Sequence, residues 1–371
     1  MKISTSKSEL QSALQKLSKA TPARSTLPIL NSVLFVADNE GVLLRATDLE
    51  ITIITPLEAS LEETGSAAIP LHTLLEITNE LPDTRISLTV DAQNRVKLNT
   101  DFGVYDLMGK PAEEFPAIPD VDGENSLTMD TSVIRDIIEN TSFAVSKDEL
   151  KPALTGVLFQ FGSDKLTAVA TDGHRLVRYI RSDYQQENYN GDIIVPRKFL
   201  GLVGNFLGEA ELINLDVGDK HLTVKIGRNK IITRLIDERF PDYESVIPRD
   251  NEKQLLVDRE IILGAVRRVS IFSNRSTHQV ALRIIDGKAT ITTEDPEKAS
   301  SAQENLEAEY SGDDLVIGYN ANYLKDILSH LKANKITIKL KTAISAALFY
   351  PEEQIENSDL TMLLMPIRLN D

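Results

Sequence analysis

The chain has 371 residues, of which 42% are apolar and 26% are charged, a length that allows two or three domains with their own cores. No window approaches the roughly 18 consecutive apolar residues of a membrane span, and the N-terminal MKISTSKSELQ lacks the apolar segment of a secretory signal, so we expect a cytoplasmic protein. The absence of cysteine excludes disulfides, thiolate metal sites and cysteine nucleophiles, and a net charge of -16 argues against indiscriminate binding to DNA or acidic membranes.

In chain order, the first predicted element is a helix. Ser6-x-x-Glu9 is a capping box, and apolar residues follow it at helical spacing. Similar spacing predicts six helices, over 7–19, 71–81, 131–143, 196–207, 259–271 and 321–332. Alternating β-branched runs predict strands between them, including runs at 42–55, 166–180 and 335–350. Helices combined with many antiparallel strands predict the α+β class.

The order of these signals repeats three times. The repeated markers are Phe115-Pro116, Phe240-Pro241 and Met365-Pro366, then Asp48, Asp172 and Asp295, then the helix openers Pro70, Pro196 and Asn320. Successive markers lie 123 to 126 residues apart, far more than the roughly 20–50 residues of a solenoid repeat. We therefore predict three homologous domains, 1–123, 124–252 and 253–371, each with two helices and antiparallel sheets.

Positive charge is concentrated on the predicted helices. Together they carry a net charge of +4, which leaves -20 for the rest of the chain. One interpretation is that helical lysines and arginines simply solvate an outer face. The other is that they attract an anionic partner, and charge segregation alone does not decide between the two.

Catalytic motifs are absent. The sequence contains no G-x-x-x-x-G-K-[ST], G-x-G-x-x-G, H-E-x-x-H or G-x-S-x-G motif, and its five histidines lack the spacing of a zinc site. Asp172-Gly173-His174 could place a general base beside a carboxylate. It is better explained as a type I′ hairpin with Gly173 at positive φ. We predict no catalytic residue, no metal and no cofactor.

The apolar run MLLMPIRL (362–369) has two interpretations. It could be the last β-strand of the third domain. Alternatively, Met365, Pro366 and Ile367 could line an apolar groove for a partner segment.

Five segments carry a family resemblance that spans essentially the whole chain: LPILNSVLF (27–35), ATDGHRL (170–176), IVPRK (194–198), RFPDYESVIP (239–248) and MPIRL (365–369). In this order they resemble the bacterial DNA polymerase III beta subunit, the replicative sliding clamp. The resemblance implies a DNA-clamp fold of three tandem domains and a head-to-tail homodimer. Six domains then form a ring around duplex DNA, with helices lining the hole and antiparallel sheets outside.

The resemblance also implies a function without catalysis. A clamp of this family is a processivity factor that encircles double-stranded DNA without sequence preference and tethers the replicative DNA polymerase alpha subunit. A hydrophobic cleft between domains two and three recruits the clamp loader delta subunit, translesion polymerases and repair proteins.

Residue by residue, the resemblance implies DNA-facing positions at Arg24, Lys151, Arg197 and Lys198. The chain departs from the family pattern after the third helix, where Pro152 and Ala153 replace aromatic residues, and at His72-Thr73, which replaces a basic pair.

The implied partner-peptide cleft comprises Leu154, Thr171, Gly173, His174, Arg175, Leu176, Pro241, Val246, Asn320, Tyr323, Ile344, Leu364, Met365, Pro366, Ile367 and Arg368. Its apolar members would bury an incoming Leu or Phe, while His174, Arg175 and Arg368 could hydrogen-bond the peptide backbone or an acidic end.

The implied dimer interface joins Tyr105 and Leu107 to Ile271 and Phe272. Edge-to-edge pairing there would remove two exposed sheet edges. Glu297 and Glu304 would face the neighbouring subunit, but their usual basic partners are replaced here by Phe102, Val104 and Thr73. We expect a seam that depends on apolar contacts and is therefore less sensitive to salt.

Two alternatives stay open at this point. One is a hydrolase that uses Asp172 and His174. The other is a scaffold of the same fold that binds peptides without encircling DNA.

Overall fold

The computed structural model describes residues 1–22, 25–119, 125–184 and 189–369. Within these ranges all six predicted helices are present: α1 Lys7–Leu17, α2 Leu71–Glu80, α3 Thr131–Thr141, α4 Arg197–Gly204, α5 Arg259–Val269 and α6 Ala321–His330. Each ends before its predicted limit, and α1, α3 and α5 continue into short 3-10 turns. The Ser6 hydroxyl accepts a hydrogen bond from the Glu9 N–H, as the capping box predicts.

The apolar residues spaced at helical intervals in the sequence form the buried faces of the helices. In α1 the buried side chains are Leu10, Ala13, Leu14 and Leu17, and in α5 they are Ile262, Leu263, Ala265, Val266 and Val269. These helices lack a second apolar face, so each packs one stripe against the sheets and exposes its polar side chains.

The described chain divides into two compact units, Met1–Ser132 with Leu202–Leu235 and Val133–Gly201 with Ile236–Asp371. The strands of the first unit are β1 Lys2–Ser6, β2 Ser32–Asp38, β3 Gly41–Thr47, β4 Ile51–Leu57, β5 Ser60–Glu63, β6 Gly65–Pro70, β7 Arg85–Val90, β8 Arg95–Thr100, β9 Gly103–Met108, β10 Ser126–Asp130, β15 Leu212–Val217, β16 His221–Ile226 and β17 Asn229–Arg234. Those of the second are β11 Gly156–Phe161, β12 Leu166–Thr171, β13 Arg175–Arg181, β14 Gly191–Pro196, β18 Lys253–Asp258, β19 Gln279–Ile285, β20 Lys288–Asp295, β21 Ser300–Leu306, β22 Ala308–Ser311, β23 Leu315–Asn320, β24 Lys335–Leu340, β25 Ala347–Pro351 and β26 Ser358–Leu364.

Antiparallel sheets join strands from different repeats. The first unit has sheets in the orders β5-β1-β7-β8-β9 and β10-β15-β16-β17-β4-β3-β2-β6, and the second has β14-β11-β12-β13-β26-β25-β24-β18-β22 and β21-β20-β19-β23. The junctions are β17 with β4, where Ile231 pairs with Ile53, and β13 with β26, where Val177 pairs with Met362. The central repeat therefore contributes four strands to a continuous sheet in each unit.

The loops of the hairpins β3–β4 and β12–β13 have the same pattern of hydrogen bonds. In the second, Asp172 Oδ1 accepts from the N–H groups of His174 and Arg175, and the Thr171 hydroxyl donates to the Arg175 carbonyl. Gly173 has a φ of +89°, whereas His174 has a negative φ. A type I′ turn needs positive φ at both central residues, so that part of the prediction was wrong.

Two glycines test this loop conformation. A Cβ at either Gly173 or Gly201 would have no atom within 4 Å, but only Gly173 is left-handed. We expect Gly173→Ala to lower the free energy of unfolding by about 1–2 kcal/mol. In contrast, Gly201→Ala should raise it by roughly 0.5–1 kcal/mol, because it removes a flexible residue from α4. Urea denaturation monitored by circular dichroism measures both, and equal effects would argue against the left-handed turn.

Candidate functional site

The C-terminal segment, residues 365–369, follows β26 and connects two parts of the second unit. The Met365 N–H donates to the His174 carbonyl at 2.8 Å, and the Ile367 N–H donates to the Gly318 carbonyl of β23 at 2.9 Å. The predicted last strand therefore ends at Leu364, and the residues beyond it lie between the β12–β13 loop and the edge of β23. The strand interpretation of the apolar run therefore applies as far as Leu364, and the groove interpretation of Met365, Pro366 and Ile367 stays a prediction.

A buried apolar cluster lies beneath this region. Its members are Leu158, Val169, Leu176, Ile194, Tyr243, Ala346, Leu348 and Leu363, with Ala153, Ile236, Phe240, Ile247 and Tyr350 packed against them. Most segments of the predicted cleft contribute to this cluster or flank it, whereas the segment with Asn320 and Tyr323 does not. Tyr243 and Ile247 flank Val246, Ala346 follows Ile344 closely, and Leu363 precedes the C-terminal segment.

The predicted cleft residues differ in exposure. Exposed are Gly173, His174, Pro241, Val246, Ile344, Met365 and Arg368; half-buried are Leu154, Asn320, Tyr323, Pro366 and Ile367; buried are Thr171, Arg175, Leu176 and Leu364. The apolar side chains open to solvent are Val246 at 52%, Ile344 at 74% and Met365 at 41% exposure. Leu176 and Leu364 lie in the floor below the surface and offer no accessible face.

Arg175 differs from its predicted role. Its side chain is only 8% exposed, and all three guanidinium nitrogens are engaged. Nε donates to Asp172, Nη1 to Asp326 at 2.6 Å and Nη2 to the Phe143 carbonyl at 2.8 Å. Because the side chain is buried and each nitrogen already donates a hydrogen bond, the role of peptide donor predicted for Arg175 gains no support from this arrangement.

Aromatic rings surround the Arg175 guanidinium. It lies 5.2 Å from the ring centre of Phe143 and 4.8 Å from that of Tyr323. The His174 ring stacks on Tyr323 with centroids 5.5 Å apart. Burial, assisted by the Asp172 carboxylate, raises the pKa of Tyr323, so its hydroxyl stays protonated at neutral pH.

The hydrolase hypothesis gains no support from this geometry. The Asp172 carboxylate is occupied by the loop N–H groups and by Arg175. In the described residues, no hydrogen bond links that carboxylate to the His174 ring. A general base would need such an orienting contact.

Asn320 and Gly318 show how β23 supports the site. The Asn320 side chain caps α6 by accepting from the Asn322 N–H, and it also donates to the Thr277 carbonyl. A Cβ at Gly318 would lie 2.7 Å from the Ile367 carbonyl oxygen. Sequence reasoning missed Gly318, although a glycine inside a strand often marks a close backbone approach.

The predicted DNA-facing residues that the structure describes lie at or next to the starts of helices. Arg24 lies outside the described residues, Lys151 precedes the 3-10 turn Pro152–Thr155, and Arg197 and Lys198 begin α4. All three described side chains are exposed. Positive charge in a first helical turn opposes the helix dipole, so helix stability does not explain Arg197 and Lys198.

Several basic residues in the helices or directly after them form ion pairs. Ion pairs join Lys16 to Glu209, Arg259 to Glu260, Arg268 to Glu304 and Lys332 to Glu139. The net helical charge already includes Glu139 and Glu260, but it omits Glu209 and Glu304, which lie outside the predicted helices. By contrast, neither Lys151 nor Arg197 forms an ion pair with any residue in the described ranges.

The predicted interface residues of the first unit lie on an edge strand. β9 ends the five-stranded sheet, with Tyr105 and Leu107 half-buried on one face. The exposed apolar side chains there are Phe102 at 60%, Val104 at 56% and Met108 at 60% exposure. On β9 itself, Val104 and Met108 share the exposed face with the Asp106 carboxylate between them, so apolar residues lie beside the unpaired edge without forming an unbroken stripe.

The second unit also exposes apolar residues near an edge strand. Ile271 and Phe272, in the 3-10 turn Ser270–Phe272, are 77% and 45% exposed. β21 ends the four-stranded sheet, and its Glu304 accepts two hydrogen bonds from Arg268 at 2.9 and 2.6 Å. These bonds lower the pKa of Glu304, which therefore stays ionised at neutral pH.

The part of the chain that the structure describes contains no helix long and apolar enough to span a membrane.

Sequence models of the DNA polymerase III beta subunit match along the chain in domain order. The N-terminal domain matches residues 1–119, the central domain 128–242 and the C-terminal domain 244–368. The beta sliding clamp of Vibrio cholerae is 30% identical over 374 residues, and that of Haemophilus influenzae is 32% identical over 372, each covering 100% of both chains.

Solved structures agree with these relatives. A sliding clamp from Pseudomonas aeruginosa bound to griselimycin has a TM-score of 0.92 at 29% identity, and one from Bacillus subtilis has 0.94 at 25% identity. Both comparisons cover 100% of each chain. The chain therefore belongs to the DNA polymerase III beta subunit family, the DNA sliding clamps of three tandem domains that serve replication as non-catalytic processivity factors.

Proposed function

We propose that this clamp recruits its partners through the exposed apolar surface around the C-terminal segment. The observation that carries the proposal is that Val246, Ile344 and Met365 are exposed above one buried apolar cluster. A leucine or phenylalanine buried against such a surface contributes about 1.5–3 kcal/mol. Contacts of this size suit partners that must bind and leave in turn.

The partners we propose for this surface are proteins that work on DNA: the replicative DNA polymerase alpha subunit, the clamp loader delta subunit, translesion polymerases and repair proteins. His174 and Arg368 are exposed beside the apolar residues and can hydrogen-bond a peptide backbone or an acidic end. A shared surface makes these partners mutually exclusive at each site.

Ring closure is the second part of the proposal. We infer that the β9 edge of one copy pairs with the β21 edge of another, so that two copies form a closed head-to-tail ring. The exposed apolar residues beside both edges, Val104 and Met108 on one and Ile271 and Phe272 on the other, support this pairing. The domain boundaries that we propose for each copy are 1–123, 124–252 and 253–371.

DNA would lie within the ring. We propose that Arg24, Lys151, Arg197 and Lys198 face the duplex and attract its phosphates. Contacts to phosphates carry no direct sequence information, so a ring held by few of them can slide. The net charge of -16 discourages binding elsewhere on the molecule.

Retention on circular DNA tests the encirclement. The protein is loaded onto a nicked plasmid with the cognate clamp loader and ATP, and the bound fraction is separated by gel filtration before and after linearisation. We expect retention on circles and rapid loss from linear ends. Equal loss from both forms would contradict the ring and favour the alternative, a peptide-binding scaffold of the same fold that does not encircle DNA.

A further inference from the structure

A chain of five planar side chains runs beneath the proposed partner surface. The His330 ring stacks on Phe143 with centroids 3.8 Å apart, and Phe143 contacts the Arg175 guanidinium. The same guanidinium also contacts the Tyr323 ring, and Tyr323 stacks on His174. Of these five groups, only the His174 side chain is exposed.

Three separate segments supply these groups. Phe143 lies in the 3-10 turn Ser142–Ala144 after α3, and His174 and Arg175 come from the β12–β13 hairpin. Tyr323, Asp326 and His330 occupy positions i, i+3 and i+7 of α6, which places them along one face of that helix. The stack therefore holds the hairpin against α6.

Asp326 is the charged contact between these two elements. Its carboxylate accepts from Arg175 Nη1 at 2.6 Å, and its carbonyl lies 2.7 Å from His330 Nδ1. The other carboxylate on Arg175, Asp172, belongs to the same hairpin as the arginine and cannot connect it to α6. Asp326 thus contacts Arg175 through its side chain, which is 50% exposed, and His330 through its main-chain carbonyl.

We propose that Asp326 is a positioning residue for partner binding: through Arg175 it fixes Tyr323 and His174 in the orientation that a partner peptide contacts. This inference rests on the proposed partner surface. Asp326 itself need not touch the peptide. A buried arginine with a hydrogen bond on each guanidinium nitrogen is suited to this role because its planar fork orients the groups around it.

The test compares affinities for a fluorescent peptide taken from the polymerase alpha subunit. We expect Asp326→Ala to weaken binding about tenfold, the size expected when a charge-assisted hydrogen bond no longer holds a contact residue. Asp326→Asn, which keeps an acceptor oxygen, should weaken binding by less. The matched control is Glu139→Ala, which removes a helix carboxylate that is 42% exposed and paired with Lys332, and it should change binding less than about twofold.

A spectroscopic measurement separates positioning from general destabilisation. The chain has five histidines, so ¹³Cε1-histidine spectra can be assigned by substitution. Because His174 stacks on Tyr323, its resonance should carry a ring-current shift that collapses in Asp326→Ala and persists in Glu139→Ala. If Asp326→Ala lowers the melting temperature markedly, Asp326→Asn supplies the same comparison in a folded protein.

The outcomes distinguish this inference from the proposed function. His174→Ala should itself weaken binding; if neither it nor Asp326→Ala does, the proposed partner surface is wrong. If His174→Ala weakens binding and Asp326→Ala does not, the positioning role of Asp326 is overturned. An unchanged His174 resonance in a weakened Asp326→Ala variant would also overturn it.

Discussion

Replacing Gly318 with alanine should release the C-terminal segment and weaken partner-peptide binding by about 30-fold or more, a loss of roughly 2 kcal/mol. The added Cβ would lie 2.7 Å from the Ile367 carbonyl oxygen and 2.7 Å from the Leu369 side chain. The first of these atoms is backbone and cannot rotate away. The Ile367 N–H to Gly318 carbonyl bond would therefore lengthen or break, and Met365 and Pro366 would lose their anchored position.

Fluorescence anisotropy with the alpha-subunit peptide measures this loss. Gly201→Ala is the matched control, since it adds the same methyl group where no atom lies within 4 Å. Deleting residues 365–371 should reproduce the Gly318→Ala defect, and retention on circular DNA should survive in both variants. Unchanged peptide affinity in Gly318→Ala would show that the C-terminal segment takes no part in binding.

Replacing Ile271 with aspartate should break the proposed dimer. Ile271 is 77% exposed in the isolated chain and would be buried at the seam. The substitution removes the apolar contact of the isoleucine and places an unpaired carboxylate in a desolvated position. Together these effects should weaken association by about 2–3 kcal/mol at each seam. A two-subunit ring has two identical seams, so the substitution acts twice and dimerisation should weaken by a factor of about 10³ or more.

Sedimentation velocity over a range of concentrations measures the dimer. Ile355→Asp is the matched control, because Ile355 is 62% exposed and lies outside the proposed seam. In the unmodified protein, the dimer dissociation constant should change less than about threefold between low and high salt. The reason is that Glu304 is already paired with Arg268 of its own unit. A steep rise of the dimer dissociation constant with salt would mean that ion pairs between subunits hold the ring together.

The helices and their buried faces could be predicted from the sequence because their signals are local. The Ser6 cap, the apolar spacing in α1 and α5 and the threefold order of markers all act over a few residues or repeat at a constant interval. Among these local features, the helix ends and the turn type at Gly173 differ between the prediction and the structure. There, tertiary packing selects among turns of similar energy.

Contacts between distant residues decided the rest. No local pattern indicates that Val177 pairs with Met362, or that Lys16 meets Glu209, because each contact joins residues more than 180 positions apart.

Arg175 shows the same limit at the site. Its sequence position suggested a donor to a bound peptide, whereas the fold buries it between Phe143 and Tyr323 and directs one hydrogen bond from each nitrogen to Asp172, Asp326 and the Phe143 carbonyl. A guanidinium is stable at such a site only when every surrounding acceptor is in place. By itself, then, the sequence determined the repeats, the helices and the segments around the site; the tertiary structure alone decided which of their side chains remain exposed to a partner, because exposure depends on what distant segments cover.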